Sequence, residues 1–244
     1  MEILGVIPTR MGAVRFPGKP LADIAGRPLV RWVYDAATSC PVLDRVVVAT
    51  PDQEIVDVVR AFGGEAVLTS PHHPTGTDRV AEVAASSTAD VVVNVQGDQP
   101  FVTPDMLEQL VSPFAAGAGV QMTTLGAPLG PDVDPTDGNV VKVVCDRNGD
   151  ALYFSRSPIP YYRTPGPAPV LHHLGLYAFT REFLAVYQTL TPTPLELCEG
   201  LEQLRVLEHG YRIRVSRTDA PAIEVNTPAD LQAAMAHAGA RALS

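Results

Sequence analysis

A chain of 244 residues, 46% hydrophobic and 18% charged, has the apolar content of a compact globule rather than the polar excess of a disordered chain. Its net charge of -9 argues against non-specific nucleic-acid binding, which depends on basic surface, yet leaves room for an anionic ligand held by a few placed cations. Cys40, Cys145 and Cys198 make no CxxC spacing and suit small core residues in a reducing compartment, and no stretch approaches the roughly 20 apolar residues of a membrane span. The expectation is a cytoplasmic protein with neither membrane nor nucleic acid as partner.

The chain opens on EILGVIP, a β-branched run with an early acid and no basic leader, which predicts a first strand. A loop rich in Gly, Pro and basic residues follows, then a helix around PLVRWVYDAATS. RVVVAT is a second strand, and PDQEIVDVVRAFG carries apolar residues at helical spacing up to Gly63-Gly64. EAVLTS, the helix TDRVAEVAASS, the strand DVVVNVQ and the helix TPDMLEQLVSPF continue the alternation. Strands and helices in this order, with continuous apolar strands, predict an α/β fold of Rossmann-like layering around a parallel sheet.

Beyond about residue 118 the rhythm changes. VQMTTLGAPL, NVVKVVCD, ALYFSRSPIPYY and VLHHLGLYAF predict strands joined without long helices. LELCEGLEQLRVLEHG predicts one amphipathic helix, with Leu195, Cys198, Leu201, Leu204 and Leu207 as a core or dimer stripe. YRIRVSR is a late strand, and TPADLQAAMAHAG a final helix with Thr227 as N-cap and Pro228 at its first position. The organisation expected is a single domain, 1-244, in which about 118-180 form an inserted, smaller mixed-sheet region.

In parallel α/β sheets ligands sit beyond the carboxyl ends of the strands. The loop PTRMGAVRFPGKPL places Arg10, Arg15 and Lys19 with Gly12 and Gly18 directly after the first strand. Glycines let backbone N–H groups approach phosphate oxygens, and the cations can neutralise a polyphosphate; the bland alternative is a solvated basic loop. The spacing is neither a Walker loop nor GxGxxG. In VQGDQP, Asp98 closes a strand where a carboxylate can seat Mg2+, the alternative being a turn or cap aspartate; Thr103 is the better cap for the next helix. HHPTGTDRVAEV offers Gly76 and Arg79 at another strand-to-helix turn, with Thr77 and Asp78 as candidate caps. In each of the pairs His72-His73 and His172-His173 one ring is expected to find a partner and one to be exposed, with no chelate. Asp132 and Asp134, in GPDVDP, predict a turn rather than the DxD of a glycosyltransferase.

PTRMGAVRFPGKPLADIAGRPLVRWVYDAA, TGTDRVAEV, VNVQGDQPFV, ALYFSRSPIPY, HHLGLYAF, PLELCEGLEQLRVLEHGYRI and VNTPADL, in that order, resemble the 3-deoxy-manno-octulosonate (KDO) cytidylyltransferase (CMP-KDO synthetase) family from end to end. The resemblance implies a nucleotide-diphospho-sugar transferase fold, usually a homodimer, with the inserted region serving sugar binding and dimerisation. It implies a reaction of CTP with KDO, giving CMP-KDO and pyrophosphate with Mg2+, for lipopolysaccharide biosynthesis. By that similarity Arg10, Arg15 and Lys19 would bind the CTP phosphates, with Arg10, Lys19 and Asp98 carrying catalysis. Gly76 and Arg79 would meet the cytidine, and Asp98 the metal. Gln96, Arg156, His173, Glu202 and Gln203 match positions around the sugar acid, Arg156 and His173 as partners of its carboxylate.

Two places depart from the family pattern. Asn226 stands where an Asp would be a second metal carboxylate; it can offer only a carbonyl oxygen. Ala13 and Val14 replace hydroxyl residues of the loop. The departures keep open a weak or CTP-binding-only paralogue, or an enzyme for a different 2-keto sugar acid.

Overall fold

The computed structural model describes residues 1–12, 16–117, 119–130, 133–164, 170–220 and 223–241. The chain packs as two compact units, Met1–Glu108 with Ala222–Ser244, and Gln109–Pro221. The stretch 118–180 falls wholly within the second.

In the first unit β1 (Ile3–Pro8) is followed by a hairpin of β2 (Asp23–Ile24) and β3 (Arg27–Pro28) and by α1 (Leu29–Thr38). Then come β4 (Arg45–Thr50), α2 (Gln53–Ala61), β5 (Ala66–Leu68), α3 (Gly76–Ala85), β6 (Val91–Asn94) and α4 (Pro104–Ala115), which runs across the boundary between the units. The unheralded hairpin turns on Ala25 and Gly26, both at positive φ, the backbone that a tight two-residue turn demands. Every residue of β1 is buried, as is expected of a strand covered on both faces. Helices pack by their apolar faces: Leu29, Val30, Val33 and Ala37 on α1, and Ile55, Val56 and Val59 on α2.

β1 pairs in parallel with β4 on one side and with β6 on the other, and β4 carries β5 beyond it. The chain therefore moves outward through β4 and β5, then returns to the far side of β1. That reversal of strand order opens a crevice at the carboxyl ends of β1 and β6.

The second unit holds β7 (Met122–Pro128), β8 (Lys142–Cys145), β9 (Ala151–Ser155), β10 (Val170–Thr180), α5 (Arg181–Tyr187), α6 (Pro194–Glu199), α7 (Gln203–Glu208) and β11 (Arg214–Arg217). β10 lies antiparallel to β7 and to β8, β8 antiparallel to β9, and β11 parallel to β7, the mixed sheet that the sequence predicts. The chain closes with α8 (Pro228–Arg241) in the first unit, where Thr227 Oγ1 accepts from Asp230 N–H as its N-cap.

Three expectations need correcting. The helix predicted over LELCEGLEQLRVLEHG is two, because Gly200 adopts a left-handed φ of 61° and ends α6. The break turns Leu195 and Cys198 to solvent, while Leu201 and Leu204 stay buried. Of the cysteines only Cys40 is a core residue. The N-cap of α3 is Thr75, in a capping box with Asp78, whereas Thr77 is buried and accepts from Asn94 Nδ2.

Candidate active site

The first unit's crevice is a cavity of about 280 Å³. Arg10, Lys19, Gly76, Arg79, Gln96 and Asp98, singled out from separate stretches of sequence, all line it. Arg15 lies outside the described residues, as do Ala13 and Val14.

The basic loop is pinned at its base. Met11 N–H donates to Asp52 Oδ2 at 2.8 Å, and Gly18 N–H to Met11 O at 3.0 Å. Gly18 has φ 74°, which a side chain would oppose, and it turns the chain into a single 3-10 turn at Lys19–Leu21. Lys19 Nζ consequently lies 3.0 Å from Asp98 Oδ2. The loop after β6 is as tightly set. A Cβ on Gly97 would stand 2.8 Å from Pro8 O, so only glycine lets this loop lie against the end of β1 and present Asp98 to the cavity.

Arg79, one turn into α3, is 3% exposed and donates to Thr69 Oγ1 and to Ser70 O. Burial, and then the like charge of Arg10, hold its guanidinium below the usual arginine range. Two cations thus face the same cavity at a mutual cost, which an anion would relieve. The N-terminus of α3, with Thr75 and Gly76 on the cavity wall, adds a favourable dipole. His73 bonds to Glu82 and His72 is exposed, as the sequence suggests for that pair.

Behind Asp98 lies a network that the sequence does not announce. Val225 N–H donates to Asp98 O at 2.8 Å and draws the segment before α8 alongside the loop. Glu224 Oε1 accepts from Gln99 Nε2 at 3.2 Å, and its Oε2 from Asn226 Nδ2 at 2.9 Å. Burial, and then the charge of Asp98, push the Glu224 carboxyl above its usual range. Gln99 is 5% exposed, and its Oε1 has no hydrogen-bond partner among the described residues. The donor set is therefore all oxygen and holds two carboxylates, which fits a hard divalent cation such as Mg2+.

The second unit gathers Arg156, His173, Glu202 and Gln203. Lys142, fully buried, donates Nζ to Val140 O at 2.6 Å, Arg156 O at 2.5 Å and Asp137 O at 3.2 Å, and burial pushes its ammonium pKa down. Arg156 N–H donates to Glu199 Oε2, and its guanidinium to Glu199 O, Gly138 O and Gly200 O. Burial works against ionised Glu199, but the bonds from Arg156 N–H, Ser155 and Tyr153 outweigh it and hold its pKa low. Arg156 is thus fixed through its own backbone at both ends, and part of its donor capacity is spent on carbonyls.

His173 is buried beneath Phe154 and Tyr177, and burial takes its pKa down to about 3, so it is neutral at physiological pH. Thr124 Oγ1 lies 2.7 Å from Leu176 O and 2.9 Å from His173 Nε2. Its single proton goes to the carbonyl, so the hydroxyl accepts from Nε2–H and leaves Nδ1 as a lone pair. That tautomer suits acceptance from a hydroxyl better than pairing with the carboxylate expected from the sequence. Tyr177 O–H donates to Gln203 Oε1 at 3.1 Å, and Gln203 Nε2, on a side chain 2% exposed, has no acceptor among the described residues. Glu202 accepts from Tyr187 O–H at 3.4 Å.

A family model described as Cytidylyltransferase matches residues 4–213. The chain belongs to the cytidylyltransferase family. It is 62% identical over 232 residues to a 3-deoxy-manno-octulosonate cytidylyltransferase of Acaryochloris marina, covering 95% of each chain. With the protein of that name from Synechococcus elongatus it shares 56% over 243 residues, 99% of this chain and all of the relative. A solved CMP:2-keto-3-deoxy-manno-octonic acid synthetase complexed with CTP superposes with a TM-score of 0.94 at 38% identity, over 99% of this chain and 100% of that one.

Membership of a cytidylyltransferase family fits a cation-lined cavity at the switch point better than a glycosyltransferase DxD. Asp134 accepts from Thr136 N–H at 2.8 Å in a local turn, and Asp132 lies outside the described residues. The residues that sequence reasoning missed, Gln99, Glu224, Lys142, Glu199 and Thr124, share no motif. They emerge only through side-chain bonds, Lys142 and Glu199 to Arg156, Thr124 to His173, and Gln99 and Asn226 to Glu224.

Proposed function

We propose that the protein transfers the CMP group of CTP to 3-deoxy-manno-octulosonate, releasing pyrophosphate, with Mg2+ as the metal. The product would feed lipopolysaccharide assembly. The observation that carries this reading is the convergence of Arg10, Lys19, Arg79 and Asp98 on one cavity at the carboxyl ends of β1 and β6.

A sugar hydroxyl attacks the α-phosphorus, a new P–O bond forms, and the bond to the bridging oxygen breaks as pyrophosphate departs. Negative charge on the phosphate oxygens must be held throughout, so prepositioned cations supply most of the rate. Arg10 and Lys19 are placed for that work on the cavity wall; Arg15, close to them in sequence, would be a further phosphate-binding cation. Arg79, clamped by Thr69 and Ser70, keeps a fixed direction toward the nucleotide. Asp98 and its neighbours would hold Mg2+, which when bound neutralises phosphate oxygens and orients them for in-line displacement. Lys19 bonds to Asp98 Oδ2 and orients that carboxylate.

For the sugar acid, the second unit offers the Gln203 Nε2 that has no acceptor among the described residues, the Arg156 guanidinium, Glu202 and the His173 lone pair; Gln96 lines the cavity of the first unit. Leu152, Tyr161 and Leu197 are 63%, 91% and 72% exposed, apolar surface that suits the homodimer we also propose. The free thiols suit the cytoplasm, where we place the reaction. No helix among the described residues is long and apolar enough to cross a membrane.

The test is pyrophosphate release by the purified protein with CTP, Mg2+ and KDO, run beside Asp98→Ala. Release that requires all three components and vanishes in the variant supports the reading. CTP binding without release under any of these conditions overturns it.

A further inference from the structure

Asp98 as a metal carboxylate leaves a question at position 226, where Asn226 brings no charge. The structure answers it two residues earlier. The bond from Val225 N–H to Asp98 O, 2.8 Å, holds residues 224 to 226 against the loop that carries Asp98. Glu224 is set within it by two neutral amides, Gln99 Nε2 on Oε1 and Asn226 Nδ2 on Oε2. Each carboxylate oxygen has a further lone pair, so neither bond prevents coordination.

We propose that Glu224, with Asp98, is a metal-binding carboxylate of this protein, and that Asn226 acts on the metal through Glu224, as the donor that orients it. The inference rests on the reading of Asp98 as a metal ligand, and goes beyond it. Gln99 gives it an independent footing. That side chain is 5% exposed, its nitrogen faces Glu224, and its oxygen finds no donor among the described residues. A buried acceptor without a partner, beside two carboxylates, is what a cation or its bound water satisfies.

Charge supports the same conclusion. Among the described residues Lys19 is the one cation bonded to Asp98, at 3.0 Å, while the bonds to Glu224 from Gln99 and Asn226 come from uncharged groups. Two nearby carboxylates beside one bonded ammonium, with Arg10 and Arg79 left for the phosphates, leave a place for a divalent ion. Mg2+ is ordinarily held by one or two carboxylates together with substrate phosphates, so no third acidic residue is required. An aspartate at 226 could not donate to Glu224. Glutamate at 224 with asparagine at 226 is therefore a coherent pair, and the asparagine need not signal a weakened enzyme.

The experiment is titration of Mn2+ into the protein with CTP and no sugar acid, read by the electron paramagnetic resonance signal of free Mn2+. Glu224→Gln should raise the Mn2+ Kd by about tenfold or more, as loss of a charged ligand does. Asp98→Asn should raise it at least as much. Wild-type affinity in Glu224→Gln with weakened affinity in Asp98→Asn would overturn the role of Glu224 and leave that of Asp98 standing. Wild-type affinity in both overturns the metal site altogether. Cooperative melting checks that each variant is folded. Should the Gln variant not fold, Glu224→Asp, which keeps the charge but withdraws it by one methylene, decides the matter: unchanged affinity overturns the proposal.

Discussion

The two units of the chain handle polar side chains in opposite ways. In the first, the core is apolar apart from a few groups such as Arg79, Asn94 and Gln99, and most of the chemistry sits on loops that leave the strand ends. Arg10, Lys19 and Asp98 stand outside the core, so they add reactivity with little burden on folding. In the second, the polar groups are built into the core itself: Lys142, His173 and Gln203 are buried, as is the ion pair between Arg205 and Glu196. There a residue proposed to meet the sugar acid also holds the fold together. Removing one of the first unit's loop residues should therefore cost activity alone, whereas removing a site residue of the second unit should cost stability with binding.

The largest effect tests the first half of that contrast. Asp98→Asn should lower kcat by about a thousandfold or more, because the charge proposed to organise metal and phosphates is lost while the shape is kept. Its urea midpoint should stay close to wild type. A large loss of stability with it would show that the first unit, too, uses its site residues as structure.

How legible each unit is follows from the same difference. The first unit's fold can be read almost element by element, because its strands are continuous apolar runs and its helices carry clean apolar faces. Its site is legible as well, since cations and glycines crowd into a loop of an otherwise acidic chain. Glu224 escapes, because it reaches the site only through long-range bonds, from Val225 N–H to Asp98 O and from Gln99 Nε2 to its own carboxylate. In the second unit, strands are legible but roles are not. Lys142 lies inside an apolar run and gives no sign that its ammonium will be buried among carbonyls. Gly200 could be read as a residue within an amphipathic helix, and only the left-handed backbone shows that it ends one. The tautomer of His173 is set by Thr124, distant in sequence, and no local pattern carries it.

The second half of the contrast is tested next by Lys142→Met. It removes a buried ammonium and leaves three carbonyls without their donor, at a cost of roughly 3 kcal/mol in urea denaturation. Because one of those carbonyls belongs to Arg156, the KM for the sugar acid should rise while that for CTP does not. A stability loss under about 1 kcal/mol would break the comparison, since Lys142 would then be replaceable by packing alone. Gln203→Glu is smaller and more pointed. The change preserves an acceptor for Tyr177 and converts the unpaired Nε2 donor into an acceptor. We expect the KM for the sugar acid to rise about thirtyfold, equivalent to about 2 kcal/mol, with CTP binding unaltered. An unchanged KM would mean that the orphan donor does not face the ligand.

The smallest effect concerns His173, and it sharpens the claim that the second unit's site is also its core. The folded-state pKa is depressed to about 3, well below the 6.5 of an unperturbed histidine. Above pH 6.5 the ring is neutral in both folded and unfolded chains, and it contributes no pH dependence. As pH falls below that value the unfolded chain takes up the proton first, so stability drains away until the pH reaches the folded-state pKa. The slope is at most about 1.4 kcal/mol per pH unit. His173→Gln should lack this component, so its stability should fall less steeply than wild type between pH 6.5 and 5, whatever offset the substitution introduces at neutrality. Burial is the cause, since a protonated ring would have to sit against Phe154 and Tyr177 without solvent and would lose a neutral acceptor at Nδ1. Parallel slopes for the two proteins would place the ring in contact with water in the folded state, and would move His173 from the structural side of the comparison to the side of the loops.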